Sequence, residues 1–339
     1  ALEMAVACLD MEPGDEVIIP SYNFPSAANA VLLHGGVPVL CDIDGDTQNI
    51  SVEDMLGRIG PRTRAVVAVH YGGVSCPMME LKEALRAAGI ALIEDAAQGI
   101  GAFYVGMGMD GTGLWNGRQD GDGPHRFPLG SMGDFGALSF HHTKNITCGE
   151  GGILIARSRK DYRTACQYRL HGTDRAMYLA GEVDRYTWNM PGSCTAMSEL
   201  QAAVLASQME LLEDVTSRRR AIVDGYRDRL RVLEEKGIAR LMGIPGYAEP
   251  NGHIFYLRFE TGAQRDYVKD FLAHREIESK THYVPLHMSP QGQRLGYRAD
   301  DLMEASKCFE TLLRLPVHGQ MVGEQMEFVA GMVLKACGL

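Results

Sequence analysis

No apolar run in this 339-residue chain reaches the roughly 20 residues that a bilayer-spanning helix needs, so no membrane span is expected. Basic charge is also short. The 33 Lys and Arg stand against 43 Asp and Glu, a net charge of −10. That balance argues against nucleic acid or an anionic membrane as the main partner, and it asks any anionic small substrate to find local cationic contacts. The eight cysteines form no C-x-x-C pair, and several sit inside apolar runs where a thiol behaves as a small hydrophobe. Such usage fits a reducing cytoplasm better than a disulfide scaffold. The eleven histidines show no H-E-x-x-H or comparable ligand spacing, so no metal is expected. An initiating methionine is missing as well. The chain opens at Ala1 in mid-helix pattern (Ala1-Leu2-Glu3-Met4-Ala5-Val6-Ala7), as expected of a chain lacking its amino-terminal segment.

What is present is a regular alternation. Apolar β-rich runs at 15–20, 37–43, 65–71 and 90–95 alternate with helical patterns at 26–33, 52–59 and 78–88. The strands do not alternate polar with apolar, as expected where helices cover both faces of a sheet. The class is therefore α/β with a mostly parallel central sheet and right-handed crossovers. A long helical stretch at 197–233 carries Leu200, Val204, Leu211 and Leu212 on one stripe, and its Arg218-Arg219-Arg220 run is expected on a solvated face. After it come a strand at 253–259, a helix at 264–274, a strand at 279–285 and a helix at 323–334. The length favours two domains. We place a large one at 1–212 and a smaller carboxyl-terminal α/β domain at 213–339, hinged near 210–245.

Residues 106–131 interrupt the alternation with a glycine-rich, weakly hydrophobic stretch that reads as a mobile insertion. It contains a formal G-x-G-x-x-G at Gly106, Gly108 and Gly111, but no helix pattern follows, so a dinucleotide site is not expected. The Asp-Gly repeats lack the spacing and terminal glutamate of a calcium loop.

The richest segment is Leu138-Ser139-Phe140-His141-His142-Thr143-Lys144-Asn145, followed by Gly149-Glu150-Gly151-Gly152 and a second apolar strand. A strand runs into a polar turn that presents one lysine, with a hydroxyl five residues before it. A lysine so held suits a Schiff base, and the hydroxyl and backbone N–H groups around it suit a phosphate. Pyridoxal phosphate chemistry also asks for a carboxylate on the pyridine nitrogen. The strand Ala91-Leu92-Ile93-Glu94 delivers Asp95 at its carboxyl end, where open α/β sheets place ligands, and small residues follow it. Taken alone, Asp95 reads first as a helix N-cap after a strand, and His70, ending Val66-Val67-Ala68-Val69, as a satisfied core histidine.

Several motifs in order carry a resemblance: Pro20-Ser21-Tyr22-Asn23-Phe24, Glu94-Asp95-Ala96-Ala97-Gln98, the 139–145 segment, Tyr186-Thr187-Trp188, Gly192-Ser193, Met197-Ser198-Glu199-Leu200-Gln201-Ala202-Ala203 and His282-Tyr283-Val284-Pro285-Leu286-His287. Over essentially its whole length the chain resembles the DegT-type nucleotide-sugar aminotransferases, fold-type I pyridoxal 5'-phosphate enzymes. It is most similar to the transaminases of TDP-4-oxo-6-deoxyglucose.

The resemblance implies a Schiff-base role and proton shuttling for Lys144, pairing of Asp95 with the pyridinium, and Gln98 near the ring hydroxyl. Phe24 would stack on the ring, and Ser139 would bond the phosphate. Ser193 or Asn189 would substitute for a phosphate-binding asparagine that many members supply from a neighbouring subunit. Tyr186, Trp188, His282 and His287 are candidate substrate contacts. The resemblance further implies a homodimer with its site at the interface, L-glutamate as donor, and a place in deoxysugar biosynthesis of the kind that feeds cell-surface polysaccharide. The turn that caps the cofactor phosphate in the family would lie before Ala1. The 106–131 stretch, between Asp95 and Lys144, is placed to cover the substrate entrance. The competing readings are a 3-oxo-sugar aminotransferase, a same-fold sugar dehydratase, in which the lysine is commonly histidine, and a catalytically silent pyridoxal phosphate-binding or regulatory protein.

Overall fold

The computed structural model describes residues 1–106 and 124–339. The central part of the 106–131 insertion, with Gly108 and Gly111, lies outside the described residues. The first half of the chain runs α1 (Leu2–Ala7), β1 (Glu16–Pro20), α2 (Ser26–Leu33), β2 (Val37–Cys41), α3 (Val52–Gly57), β3 (Thr63–Val69), α4 (Met78–Ala88) and β4 (Ala91–Asp95). Then follow β5 (Phe103–Gly106), β6 (His125–Pro128), β7 (Phe135–Ser139), β8 (Gly152–Ala156), α5 (Arg159–Tyr168), α6 (Arg175–Leu179), α7 (Glu199–Met209) and α8 (Leu212–Glu235). The remainder is β9 (Ala239–Leu241), β10 (Ala248–Glu249), β11 (Phe255–Phe259), α9 (Gly262–Ala273), α10 (Pro290–Arg294), α11 (Met303–Thr311), β12 (Leu312–Leu315) and α12 (Gly323–Ala336).

The main sheet has the order β2-β1-β3-β4-β7-β8. Its first five strands are parallel, and β8 returns antiparallel to β7. Its runs of Val, Ile and Ala are buried because helices cover both faces; in β3 only Arg64 is exposed. One core joins this sheet's helix-covered face to the α8, α9, α11 and α12 side of a second sheet, β12-β11-β9. Another fills the opposite face beneath α3 and α4. Local chemistry fixes the helix starts. Ser198 and Thr261 each close a capping box with a glutamine three residues on, at α7 and α9.

Four expectations are revised. The helical stretch at 197–233 is two helices, broken at Glu210–Leu211 so that α8 can turn Ile222, Val223, Tyr226, Leu230 and Leu233 into the core. Leu200, at 82% exposure, stays outside it. Arg219 is buried rather than solvated and donates to the carbonyls of Gly252, His253 and Val317, while Arg220 pairs with Glu249 at 2.8 Å. The arginines thus tie α8 to the loop at 250–253. Segment 279–285 is not a strand: only Lys280 bridges to Arg314, and the following side chains turn into a cavity instead of a ladder. Finally, both described ends of the 106–131 stretch are ordered. Gly106 pairs with His125 in a β5–β6 hairpin to which β10 adds a third strand.

Candidate active site

The carboxyl ends of β1, β3, β4 and β7 open into a cavity of about 1250 Å³, closed on its far side by residues 280–283 and by Arg314 of β12. This is the edge at which a parallel sheet leaves its loops free to hold a ligand. Pairing of Asp95 with Ala137 puts Asp95 and Ser139 two residues apart on adjacent strands. Phe24 enters from the loop after β1, and Lys144 from the turn after β7, where its N–H closes on the carbonyl of His141 at 2.9 Å. Phe24, Asp95, Gln98, Ser139, Lys144 and His282 all line this one cavity.

Asp95 is 6% exposed, and burial pushes its carboxyl above the ordinary value despite the N–H of Ala97 at 3.1 Å and the charge of Lys144. Burial lowers the Lys144 ammonium below its ordinary 10.5, a shift that Asp95 opposes and Arg314 reinforces. An acid and an amine thus face one space, the acid's pKa raised and the amine's lowered by burial. A buried carboxylate that lacks a full partner is suited to a cationic ring nitrogen.

The walls are braced. Asn145 beside Lys144 bonds His253 Nδ1 at 2.8 Å, and Asn251 donates to the carbonyls of Gln98 and Ile100. Gly73, at φ +78°, lets Asn251 approach; a Cβ there would collide with its Oδ1. Both ends of the Gln98 amide are engaged: Oε1 accepts from Gly72 N–H at 2.7 Å and Nε2 donates to Tyr283 Oη at 3.1 Å. Next to Asp95, buried Glu94 accepts from the N–H groups of Gly130, Met132 and Gly133 and meets His70 Nε2 at 2.9 Å. His70 Nδ1 takes the Cys76 N–H at 3.1 Å, which leaves the ring proton on Nε2 for Glu94. Although burial alone would raise the Glu94 carboxyl, these donors hold it below its ordinary value. Removing one partner of such a pair typically costs about 3–5 kcal/mol. Glu94→Ala should therefore lower unfolding free energy by about that much in denaturant titration, and a loss under about 1 kcal/mol would contradict the bracing role.

Four expected residues are placed elsewhere. Tyr186 and Trp188 do not line the cavity and are 52% and 73% exposed. Ser193 also lies outside it, its backbone bonded to Tyr168 and His171, whereas Thr195, Ala196 and Met197 line the wall. His287 is fully buried: Nδ1 faces Ser21 Oγ at 2.7 Å and Nε2 faces Ser306 Oγ at 3.0 Å. Conversely, Tyr283 and Arg314, which are not among the expected site residues, line the cavity. The available signal for Arg314 was a lone cation inside an apolar strand. At the mouth, His141, His142 and Glu150 bring potential ligand atoms within 4.8 Å of one another.

The donor set fits pyridoxal phosphate: an amine, a buried carboxylate, an aromatic side chain, a strand-end hydroxyl, and small residues Ala97 and Ala137 that leave room for a flat ring. Fold and cavity together define a fold-type I, pyridoxal phosphate-dependent aminotransferase. The DegT/DnrJ/EryC1/StrS aminotransferase family model matches residues 1–334. The aminotransferase TlmJ from Streptoalloteichus hindustanus shares 26% identity over 99% of this chain and 83% of its own, with a TM-score of 0.84. DesV of S. venezuelae, solved with a ketimine intermediate, shares 28% over 98% and 81%, also at 0.84. A putative sugar aminotransferase of Streptococcus pneumoniae in its PLP form shares the fold at 0.84, with 23% identity over 100% and 84%. The chain belongs to the DegT/DnrJ/EryC1/StrS aminotransferase family of pyridoxal phosphate-dependent sugar aminotransferases. No helix among the described residues is long and apolar enough to cross a membrane.

Proposed function

We propose that this protein transfers an amine from L-glutamate to the 4-oxo carbon of a nucleotide-linked 6-deoxyhexose of the TDP-4-oxo-6-deoxyglucose type. It does so as a cytoplasmic homodimer. The observation that carries the reading is the convergence of the Lys144 amine and the Asp95 carboxylate on one sheet edge, between Phe24 and Ser139. When bound, pyridoxal phosphate supplies the electron sink and carries the amine between the two substrates.

The chain's own residues do the rest. Asp95 Oδ would hold a proton on the ring nitrogen, Phe24 would cover a ring face, and Ser139 Oγ would donate to the phosphate. Lys144 would hold the cofactor, and its depressed basicity lets Nζ accept and return a proton at lower pH than a free lysine would. Tyr283 and Gln98 fix the wall against which the donor and sugar alternate. Ile153 and Ile155 of β8 are exposed apolar side chains, and Leu33 is exposed at the cavity rim, which supports burial against a second copy.

Incubation of the cofactor-loaded protein with L-glutamate and TDP-4-oxo-6-deoxyglucose should yield the 4-amino sugar nucleotide, read by mass spectrometry and NMR. Turnover only of the 3-oxo isomer, or of neither sugar despite conversion of glutamate, would contradict the substrate assignment.

A further inference from the structure

The turn after β1 carries Asn23, which is 4% exposed and lines the active cavity together with Phe24 and Asp95. Its backbone N–H donates to the Ser21 carbonyl at 3.0 Å, and its Oδ1 accepts the N–H of Phe24 at 2.7 Å. Only the oxygen end of the amide can accept from an N–H, so the orientation of the side chain is settled and Nδ2 is the end left over. That nitrogen is buried with no hydrogen-bond partner among the described residues. An unmet buried donor costs free energy until an acceptor closes on it. We infer that Asn23 is a positioning residue of the cofactor site, whose Nδ2 closes on the Asp95 carboxylate and holds it for the ring nitrogen. The assignment rests on the proposed pairing of Asp95 with that nitrogen.

Asp95 is the acceptor that the surroundings supply. Its Oδ1 takes the Ala97 N–H at 3.1 Å, which leaves acceptor capacity on a group with two oxygens. The Asn23 amide already acts on that carboxyl, lowering it against the burial that raises it. The donor is therefore poised beside the carboxylate. The cofactor offers no rival acceptor there. Beside its nitrogen the pyridine ring carries a methyl group on one flank and a C–H on the other, and neither accepts a hydrogen bond.

One amide thereby serves two contacts with the ring. Oδ1 pins the backbone of Phe24, whose own side chain is exposed, and Nδ2 fixes Asp95. No ladder does this, because β3 stands between β1 and β4 in the sheet. Asn23 bridges the gap from the loop. A hydrogen bond to an ionised carboxylate is roughly twice as strong as a neutral one, and it favours the charged form. The ring nitrogen then meets an oriented anion rather than a buried neutral acid.

A double-mutant cycle in the apoprotein tests the contact without cofactor. Asn23→Ala and Asp95→Ala should be coupled by on the order of 10-fold in the unfolding equilibrium constant, read by denaturant titration at pH 7. The bond to Phe24 is lost in either background and cancels. Asn23→Ser keeps an acceptor for the Phe24 N–H and repeats the cycle with less disturbance of the turn. Loaded with cofactor, N23A should bind it on the order of 10-fold more weakly. The pH midpoint of the visible band should also move upward, because a ring nitrogen that holds its proton less well withdraws less charge from the group bound to Lys144. In the D95A background the same substitution should change neither quantity. Additive effects in the apoprotein would overturn the inference, as would cofactor affinity and a midpoint that N23A and N23S leave in place. A merely structural Asn23 would lower stability without moving the midpoint. Failure of the proposed Asp95 role reads differently, since the apoprotein coupling would persist while D95A left cofactor affinity unchanged.

Discussion

Replacing Lys144 with alanine is expected to lower kcat by on the order of 10³-fold or more and to remove the visible band that the lysine-bound cofactor gives. The size follows from the double duty of Nζ. In the proposed role it is the chain's covalent hold on the cofactor, and it is the amine in the cavity whose burial, aided by Arg314, lowers its basicity. The pH dependence has a definite sign. Because the ammonium is lowered from 10.5, the neutral, reactive amine accumulates at lower pH than in a free lysine. Capture of pyridoxal phosphate by the apoprotein should therefore rise with pH and reach its midpoint below 10.5, as read by stopped-flow absorbance. Retained turnover and band in K144A would show that another group holds the cofactor.

Asp95→Asn should produce effects of opposite sign in the two forms of the protein. In the apoprotein burial raises the Asp95 carboxyl above its ordinary 3.8, so ionising it opposes folding. That opposition is absent below 3.8, where the group is protonated in both states, and is fully present above the raised folded value. Asparagine keeps an oxygen for the Ala97 N–H and removes the charge. The D95N apoprotein should thus melt higher than wild type at pH 7 and equally at pH below 3.8. With cofactor bound, the pairing proposed for Asp95 means that the variant would leave the ring nitrogen without its counter-ion. Breaking a buried pair typically costs about 3–5 kcal/mol, so turnover should fall by on the order of 100-fold or more. A variant that lowered apo and holo stability alike would mark Asp95 as a structural cap instead.

The residues legible in the sequence are those that end apolar strands. Asp95 closes β4 and Ser139 closes β7, and a parallel sheet delivers both to one edge, with Lys144 on the turn beyond. Phe24 and Gln98 follow β1 and β4 in the same way. What sequence spacing does not contain is which side chains meet across long separations. Arg314 reaches His282 only because residues 279–285 run beside β12, and His287 turns away from the cavity because Ser21, 266 positions earlier, engages it. The Arg218-Arg219-Arg220 run shows the same limit. Charge suggested solvent, whereas three carbonyl acceptors from loops after β10 and β12 bury Arg219. The 197–233 stretch has unbroken helical propensity, and tertiary packing of α8 decides the break at Glu210–Leu211.

Whether Lys144 holds the cofactor is decided by reducing the pyridoxal phosphate-loaded protein with borohydride and locating the pyridoxyl label by peptide mass spectrometry. One label per chain is expected, on Lys144, and none when L-glutamate has first converted the cofactor to its amine form. A label on Lys280, the other lysine lining the cavity, or on no lysine at all, would contradict it.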